Sequence, residues 1–410
     1  MISAKNENGD FTVLWKKPIN EIERIRRTQK FYCPHCGDSL LIKAGSINIP
    51  HFSHKSQSAC SSLSESESIQ HLNGKLDIFN WLKQFYPDSV ELEPYLEEIG
   101  QRPDILMMAQ GQIYAIEYQC SSIPSSLIQA RTKGYHEMNI KPIWIMGDAP
   151  IRKGKEGNTS IYKLSPFQWS FAQMSSNGSP ILLSYSPDSK VMGQYSKIFP
   201  LTPSKTFAAP LISPLTKLDP SQILFNPADS FTQYPIKRWI DEKNKWMQQR
   251  VHYSRWKRDR FLLAIYENGL NPFLLAPQIG LPVSYMCSVS SHPLEWQLYI
   301  WTDTLNHNKG KIIDMDRCLQ NVQKRIHRGD IKKRPLPLFS IDFTERMVSS
   351  YLHLLVRTGH LKICGKNKFM YVKEFNFYLN MEMGIEEEKN YYMTIIKDIN
   401  RQLIERITFF

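Results

Sequence analysis

No uninterrupted apolar run in this sequence approaches 18 residues, so no membrane-spanning helix is expected. Cysteine is sparse: there are seven, with only one close pair. An odd, scattered set does not make a disulfide framework and fits a reducing compartment. The opening MISAKNENGDFTVLW has no apolar h-region and carries acids early, so no secretory signal is expected. Internal repeats and low-complexity tracts are also lacking. Acids are the minority charge, 39 against 51 Lys and Arg, for a net charge of +12. Disordered, coiled-coil, collagen-like and membrane classes are excluded. A soluble cytoplasmic chain is expected, and its basicity points to a polyanionic partner, either nucleic acid or an acidic membrane face.

At about 100–200 residues per domain, 410 residues allow several domains. Four segments separate. Residues 1–60 are short strand-like stretches around a Cys/His cluster. Residues 61–150 alternate helix and strand. Residues 151–235 are rich in Ser, Pro and Thr, and read as an extended connector with some strands. Residues 236–410 return to helical periodicity and strong charge, a basic, mainly helical domain.

The second segment is the most informative. Ile69, Leu72, Leu76, Phe79 and Leu82 recur at spacings of three and four, predicting a helix from about Ser64 to Phe85. A strand is expected around Ser89–Leu96. Arg102–Met108 and Gln112–Ser121 read as a hairpin turning at Gln110-Gly111. Pro124 and Ser125 open a helix to Met138, and Ile143–Met146 is a buried strand. The order is αβββαβ, a compact α/β unit.

That hairpin carries Arg102-Pro103-Asp104 on one strand and Glu117-Tyr118-Gln119 on the other. Adjacent strands lie about 4.8 Å apart, so Asp104 can approach Glu117. Glu117 and Gln119 share one face, while Tyr118 points to the other. Two acids beside a polar donor suit a hard divalent cation, which can activate water for in-line attack on a phosphodiester. Glu67, His71 and Lys75 fall on one face of the preceding helix, beside its apolar stripe. They form either a third carboxylate with its neighbours or a solvated face with ordinary ion pairs. On the second helix Arg131 and Tyr135 are four apart, placed either to touch a phosphate or to pack together on the surface.

Cys33-Pro-His-Cys36 and His51-Phe-Ser-His54 give C-x2-C-x14-H-x2-H, the four tetrahedral ligands of a structural zinc. Ser39–Lys43 and Gly45–Ile49 are expected to pair between them as in a zinc ribbon, with the histidines on a turn. His35 and Cys60 are spare ligands.

In the last segment, residues 237–260 hold nine Lys and Arg, Lys257 and Arg258 among them, against three acids. Trp239, Trp246, Tyr253 and Trp256 are interleaved. Such a helix either neutralises phosphates and stacks on bases, or turns its aromatics into a core. Residues 310–334 are a second basic stretch. Further on, a helix over Asp342–Gly359 and a basic hairpin over Leu361–Val372 resemble part of a winged helix.

The acid of a Pro-Asp step, the facing Glu-x-Gln and a helical Glu resemble the PD-(D/E)XK nuclease core. The longer series FYCPHCGDSLLIKAGSINIPHFSHK, SESESIQHLNGK and RPDILMMAQGQIYAIEYQCSSI resembles the competence protein CoiA family over about residues 10–150. The resemblance implies a bacterial metal-dependent DNA nuclease, acting in natural competence, transformation and homologous recombination. It implies a PD-(D/E)XK nuclease-like αβββαβ core, which joins the N-terminal zinc-ribbon-like module and the mainly helical C-terminal domain that the residues themselves suggest. Carried onto this sequence, Asp104 and Glu117 hold Mg2+ or Mn2+, Glu67 supports them, and Gln119 stands where the pattern has lysine. A neutral amide orients water without supplying charge, so Lys75 or Lys133 is expected to supply it. The implied partners are DNA, single-stranded or branched, together with the RecA recombinase and other competence proteins. The alternative is a weak or inactive nuclease fold acting as a DNA-binding recombination mediator or adaptor.

Overall fold

The computed structural model describes residues 1–404 except 16, 46–48, 56–59, 61–67, 148, 157–158, 175–179, 226–233 and 379. The first unit holds β1 (Ser3–Asn6), β2 (Phe11–Val13), α1 (Ile19–Thr28), β3 (Phe31–Tyr32), β4 (Ser39–Lys43) and β5 (His51–His54). Its five strands form an antiparallel sheet in the order β2-β1-β3-β4-β5. β4 pairs with His51–His54, in the register Leu40↔His54 to Lys43↔His51; the strand expected over Gly45–Ile49 falls on residues 46–48, which lie outside the described residues.

The second unit follows the expected order: α2 (Ile69–Phe85), β6 (Val90–Leu92), β7 (Ile105–Ala109), β8 (Gln112–Gln119), α3 (Ser125–Glu137) and β9 (Lys141–Met146). Ser68 caps α2, its hydroxyl accepting from the His71 N–H at 3.1 Å. The β7–β8 turn has φ of 53° at Gln110 and 74° at Gly111. Two positive φ values in a two-residue loop match the right-handed twist of the hairpin. β8 then pairs with β9 in parallel. Ile78, Trp81 and Leu82 of α2 pack on the face of β8 that carries Tyr114, Ile116 and Tyr118. Tyr135 of α3 packs against Ala115 on the opposite face.

The Ser/Pro-rich stretch extends this same sheet. It supplies β10 (Ile151–Glu156), β11 (Thr159–Lys163), α4 (Pro166–Trp169), β12 (Gln173–Met174), β13 (Pro180–Ser186), β14 (Val191–Pro200) and β15 (Lys205–Pro214). The strand order is β10-β11-β15-β14-β13-β9-β8-β7-β6, with β12 on β13. Its prolines sit where a missing N–H costs little. Pro180 begins β13 and Pro200 ends β14, and Pro210 and Pro214 lie past Ala208, where β11 stops pairing with β15. Leu183, Tyr185, Met192 and Leu218 join the core under α2, and the Trp81 indole donates to Leu218 O at 3.0 Å.

The last unit contains α5 (Ile236–Tyr253), α6 (Arg260–Glu267), α7 (Pro293–Ile300), β16 (Ile312–Asp314), α8 (Met315–His327), α9 (Thr344–Arg357), β17 (Leu361–Gly365), β18 (Lys368–Tyr371) and α10 (Met381–Ile404). Trp239 of α5 is fully buried and its indole donates to Gly280 O at 3.0 Å. Trp246 stacks on His292 with centroids 4.1 Å apart. These two aromatics serve the core and not base stacking, whereas Tyr253 is 80% exposed. Lys257 and Arg258 are exposed on a short turn after α5. Among the described residues, no helix is long and apolar enough to cross a membrane.

Candidate functional site

The β7–β8 ladder ends at Ile105↔Ile116, which leaves Asp104 and Glu117 opposite each other one step beyond it. Asp104 continues the pairing with its side chain, Oδ2 accepting from the Tyr118 N–H at 2.9 Å. Its carboxylate turns toward α2. His71 Nε2 lies 3.4 Å from Oδ2 and Lys75 Nζ 3.4 Å from Oδ1. Burial by itself would raise the Asp104 carboxyl, but Lys75, His71 and the Tyr118 N–H outweigh it and hold it well below the usual carboxylate range.

Lys75 is wholly buried, not on a solvated face. Its second partner, Glu93, escaped the sequence reading. Glu93 is 1% exposed and adopts φ of 49°. One oxygen ion-pairs with Lys75. The other accepts from the Ile2 and Ser3 N–H groups at 2.8 and 2.9 Å, which ties the first strand of the chain to the nuclease-like sheet. Nothing local in Val90-Glu91-Leu92-Glu93 marks this role. Only the burial of a second, opposite charge at Lys75 demands it.

Glu117 turns the other way, toward α3. It is 2% exposed, and its Oε1 accepts from Arg131 at 2.6 Å and from the Tyr135 hydroxyl. Arg131 also donates to Arg102 O at 3.0 Å and lies over the Trp144 ring. Burial first, and then the charge of Glu117, push the Tyr135 hydroxyl well above its ordinary value, so it stays a donor. Arg131 and Tyr135 are thus neither phosphate-facing nor a surface pair, because a buried carboxylate on the facing strand draws both inward. Gln119 shares the Glu117 face and is 4% exposed, with its amide donating to Ser121 O and Oγ at 3.0 and 3.1 Å. Lys133 is exposed and pairs with Glu137 on its own helix. Of the two lysines expected to supply charge, Lys75 reaches an acid of the pair. Glu67 lies outside the described residues.

Asp104 and Glu117 both offer carboxylate oxygens, the donor type that a hard divalent cation takes, but the two carboxylates turn to opposite faces of the sheet, Asp104 to α2 and Glu117 to α3. Lys75 holds the one carboxylate and Arg131 the other.

The Cys/His cluster assembles with one exchange of ligand. The ligand atoms of Cys33, Cys36, His54 and Cys60 all lie within 4.8 Å of one another. This is the one metal-like group of three or more such residues found among the described residues. Cys33 to Gly37 form a tight turn, with the Gly37 N–H donating to Cys33 O at 2.9 Å and Gly37 at φ of 74°. His51 is excluded because it and His54 lie three apart on a strand, which points them to opposite faces. The ring of His51 bonds Ile49 O through Nδ1 at 2.8 Å instead. Cys60, a spare in the sequence, completes a Cys3His set of soft and borderline donors that fits tetrahedral zinc.

Three domain patterns of one family match the chain in order. Residues 14–63 match the competence protein CoiA N-terminal domain, 67–228 its nuclease-like domain and 234–385 its C-terminal domain. A competence protein CoiA of Bacillus subtilis (strain 168) is 27% identical over 376 residues, which covers 90% of this chain and 97% of that protein. No solved structure matches the chain.

Proposed function

The chain belongs to the competence protein CoiA family, and from that premise we propose that it is a metal-dependent nuclease acting on DNA in the cytoplasm during competence. The single observation that carries this reading is Asp104 opposite Glu117 at the end of the hairpin, with the Lys75 ammonium on Asp104. Asp104 and Glu117 are the residues that would hold Mg2+ or Mn2+, with the two carboxylates turned toward each other from the opposite faces that they occupy here. When bound, such an ion supplies Lewis-acid stabilisation of the phosphodiester and lowers the pKa of its water.

The chain's own groups perform the rest. Lys75 places a positive charge beside Asp104, a charge that Gln119 cannot supply. Gln119 orients water through its amide. Asp104 stays ionised far into the acid range and so is available as an oxygen ligand at neutral pH. The Cys3His group stabilises a small N-terminal module with a modest core, a structural role for Zn2+. In this reading the partners are DNA and, as the family resemblance implies, the RecA recombinase and other competence proteins.

One observation favours a second reading, a nuclease fold that binds DNA without cutting. Arg131 and Tyr135 both occupy Glu117 Oε1. Incubating the protein with labelled single-stranded, duplex and branched DNA in Mg2+, Mn2+ or EDTA separates the two. Cutting that needs metal and disappears in Asp104→Ala and Glu117→Ala supports the nuclease. Binding without cutting under every metal supports the mediator.

A further inference from the structure

In the C-terminal unit the chain order is α7, β16, α8, α9, β17, β18, and the sheet order is β16-β18-β17. Helix, strand, two helices and a hairpin, with the last strand lying between the other two, is the winged-helix arrangement. It is a helix-turn-helix relative in which the β17–β18 hairpin is the wing. Ile313, Cys318, Val322, Tyr351, Leu361 and Phe369 come from five of these elements and share one core.

In most helix-turn-helix proteins the second helix of the pair enters the major groove. That helix is α9 here, and it is not free to do so. Met347, Val348, Tyr351, Leu352 and Leu355 are fully buried, and α10 packs along it. Its first turn exposes Glu345 beside Arg346, and the Asp342 carboxylate just before it accepts from Thr344 and pairs with Lys333, so this end of the helix offers phosphate no net positive charge.

The wing has the opposite character. Residues 361–373, LKICGKNKFMYVK, contain four lysines and no acid. Lys362, Lys366 and Lys368 are all exposed, and the tip turns through Asn367 at φ of 56°. Lys362 pairs with Met370 and Met370 with Ile312, so this row runs across the solvent face of the sheet while Phe369 and Ile313 face the core. A two-stranded ribbon fits the width of a B-form major groove, and its lysines complement the phosphates; Asp314, opposite Lys368 on β16, is the acid that faces this row, and it caps α8 by accepting from the Asp316 N–H.

We propose that this wing is a docking surface for duplex DNA, with Lys362, Lys366 and Lys368 on the phosphates and α9 held back in the core. The proposal rests on the preceding reading only for DNA as the substrate class, and it assigns that substrate a double-stranded region. The test uses the full-length protein in EDTA, with fluorescent duplex and single-stranded DNA of one sequence, titrated across a range of salt. Lys362→Ala/Lys366→Ala/Lys368→Ala is expected to weaken duplex binding about ten-fold or more. The log–log salt slope should become shallower by about 2–3, since each phosphate contact contributes about 0.9. Single-strand binding should be unchanged. Lys366→Glu alone, at an exposed turn, should weaken duplex binding in the same sense and guards against a folding defect in the triple variant. Unchanged duplex affinity, or an equal loss on single strands, would overturn the proposal and leave the wing's exposed Ile363 and Val372 to a protein partner. Since no metal is present, that result says nothing against cleavage. Failure to cut under any metal would sink the nuclease alone.

Discussion

Lys75 Nζ lies 3.4 Å from Asp104 Oδ1, although one residue is on a helix and the other at a strand's start, and the lysine is wholly buried. The nuclease-like pattern has a lysine two residues after its second acid, where this chain has Gln119. Here the ammonium beside Asp104 comes from the flanking helix, on the face of the sheet away from Gln119.

Removing that charge has a structural consequence that can be measured apart from activity. Lys75→Met leaves Glu93 and Asp104 buried without their shared cation. Breaking a buried pair from one side costs about 3–5 kcal/mol. The urea midpoint should fall accordingly, and metal-dependent cutting should be lost even at temperatures where the variant remains folded. A variant as stable as wild type would show that the two carboxylates do not depend on Lys75.

The zinc assignment separates two histidines three residues apart. Wild-type protein should carry one zinc per chain by elemental analysis. Cys60→Ser should lose most of it, whereas His51→Ala should keep it, because His51 bonds a backbone carbonyl away from the cluster. The reverse pattern would restore the ligand set that spacing alone suggests.

The αβββαβ order was legible because α2 has clean three-and-four apolar spacing and the Gln110-Gly111 turn has only one good conformation. The Asp104–Glu117 opposition followed from the same hairpin register. Three features were hidden for physical reasons. The strands of residues 151–214 contain prolines at ends and at a locally unpaired edge, which composition cannot distinguish from a connector. The exchange of His51 for Cys60 depends on β5 being a strand, since a turn would have let both histidines face one way. Glu93 has no local signal at all, because its partners Lys75, Ile2 and Ser3 are distant in sequence.

Acid stability should report the ion pairs of Asp104. Its carboxyl is held below the ordinary value, so the stability it adds is fully present above the unfolded pKa, about 3.9. That stability is lost as pH falls below this point toward the folded pKa. Urea midpoints measured from pH 5 to pH 3 should therefore drop more steeply for wild type than for Asp104→Asn. Parallel curves would mean that Asp104 gains nothing from Lys75 and His71.

Gly74 offers a test of how tightly the site is built into the sheet. A Cβ at this position would sit 2.1 Å from Tyr118 Cε1. The Tyr118 ring cannot yield easily, since it is fully buried and its hydroxyl donates to Tyr185 O at 3.1 Å. In an exposed helix, Gly→Ala stabilises by about 1 kcal/mol. Here overpacking should reverse the sign and cost about 1–3 kcal/mol. The Tyr118 N–H holds Asp104 at 2.9 Å, so displacing the ring also shifts the strand end that carries the acid. Gly74→Ala should thus lower both the thermal midpoint and cutting. Adding Tyr118→Val, which removes the clashing ring, should recover part of the stability through a favourable coupling term in the double-mutant cycle. Additive losses would show that helix and strand do not meet as closely as Gly74 requires.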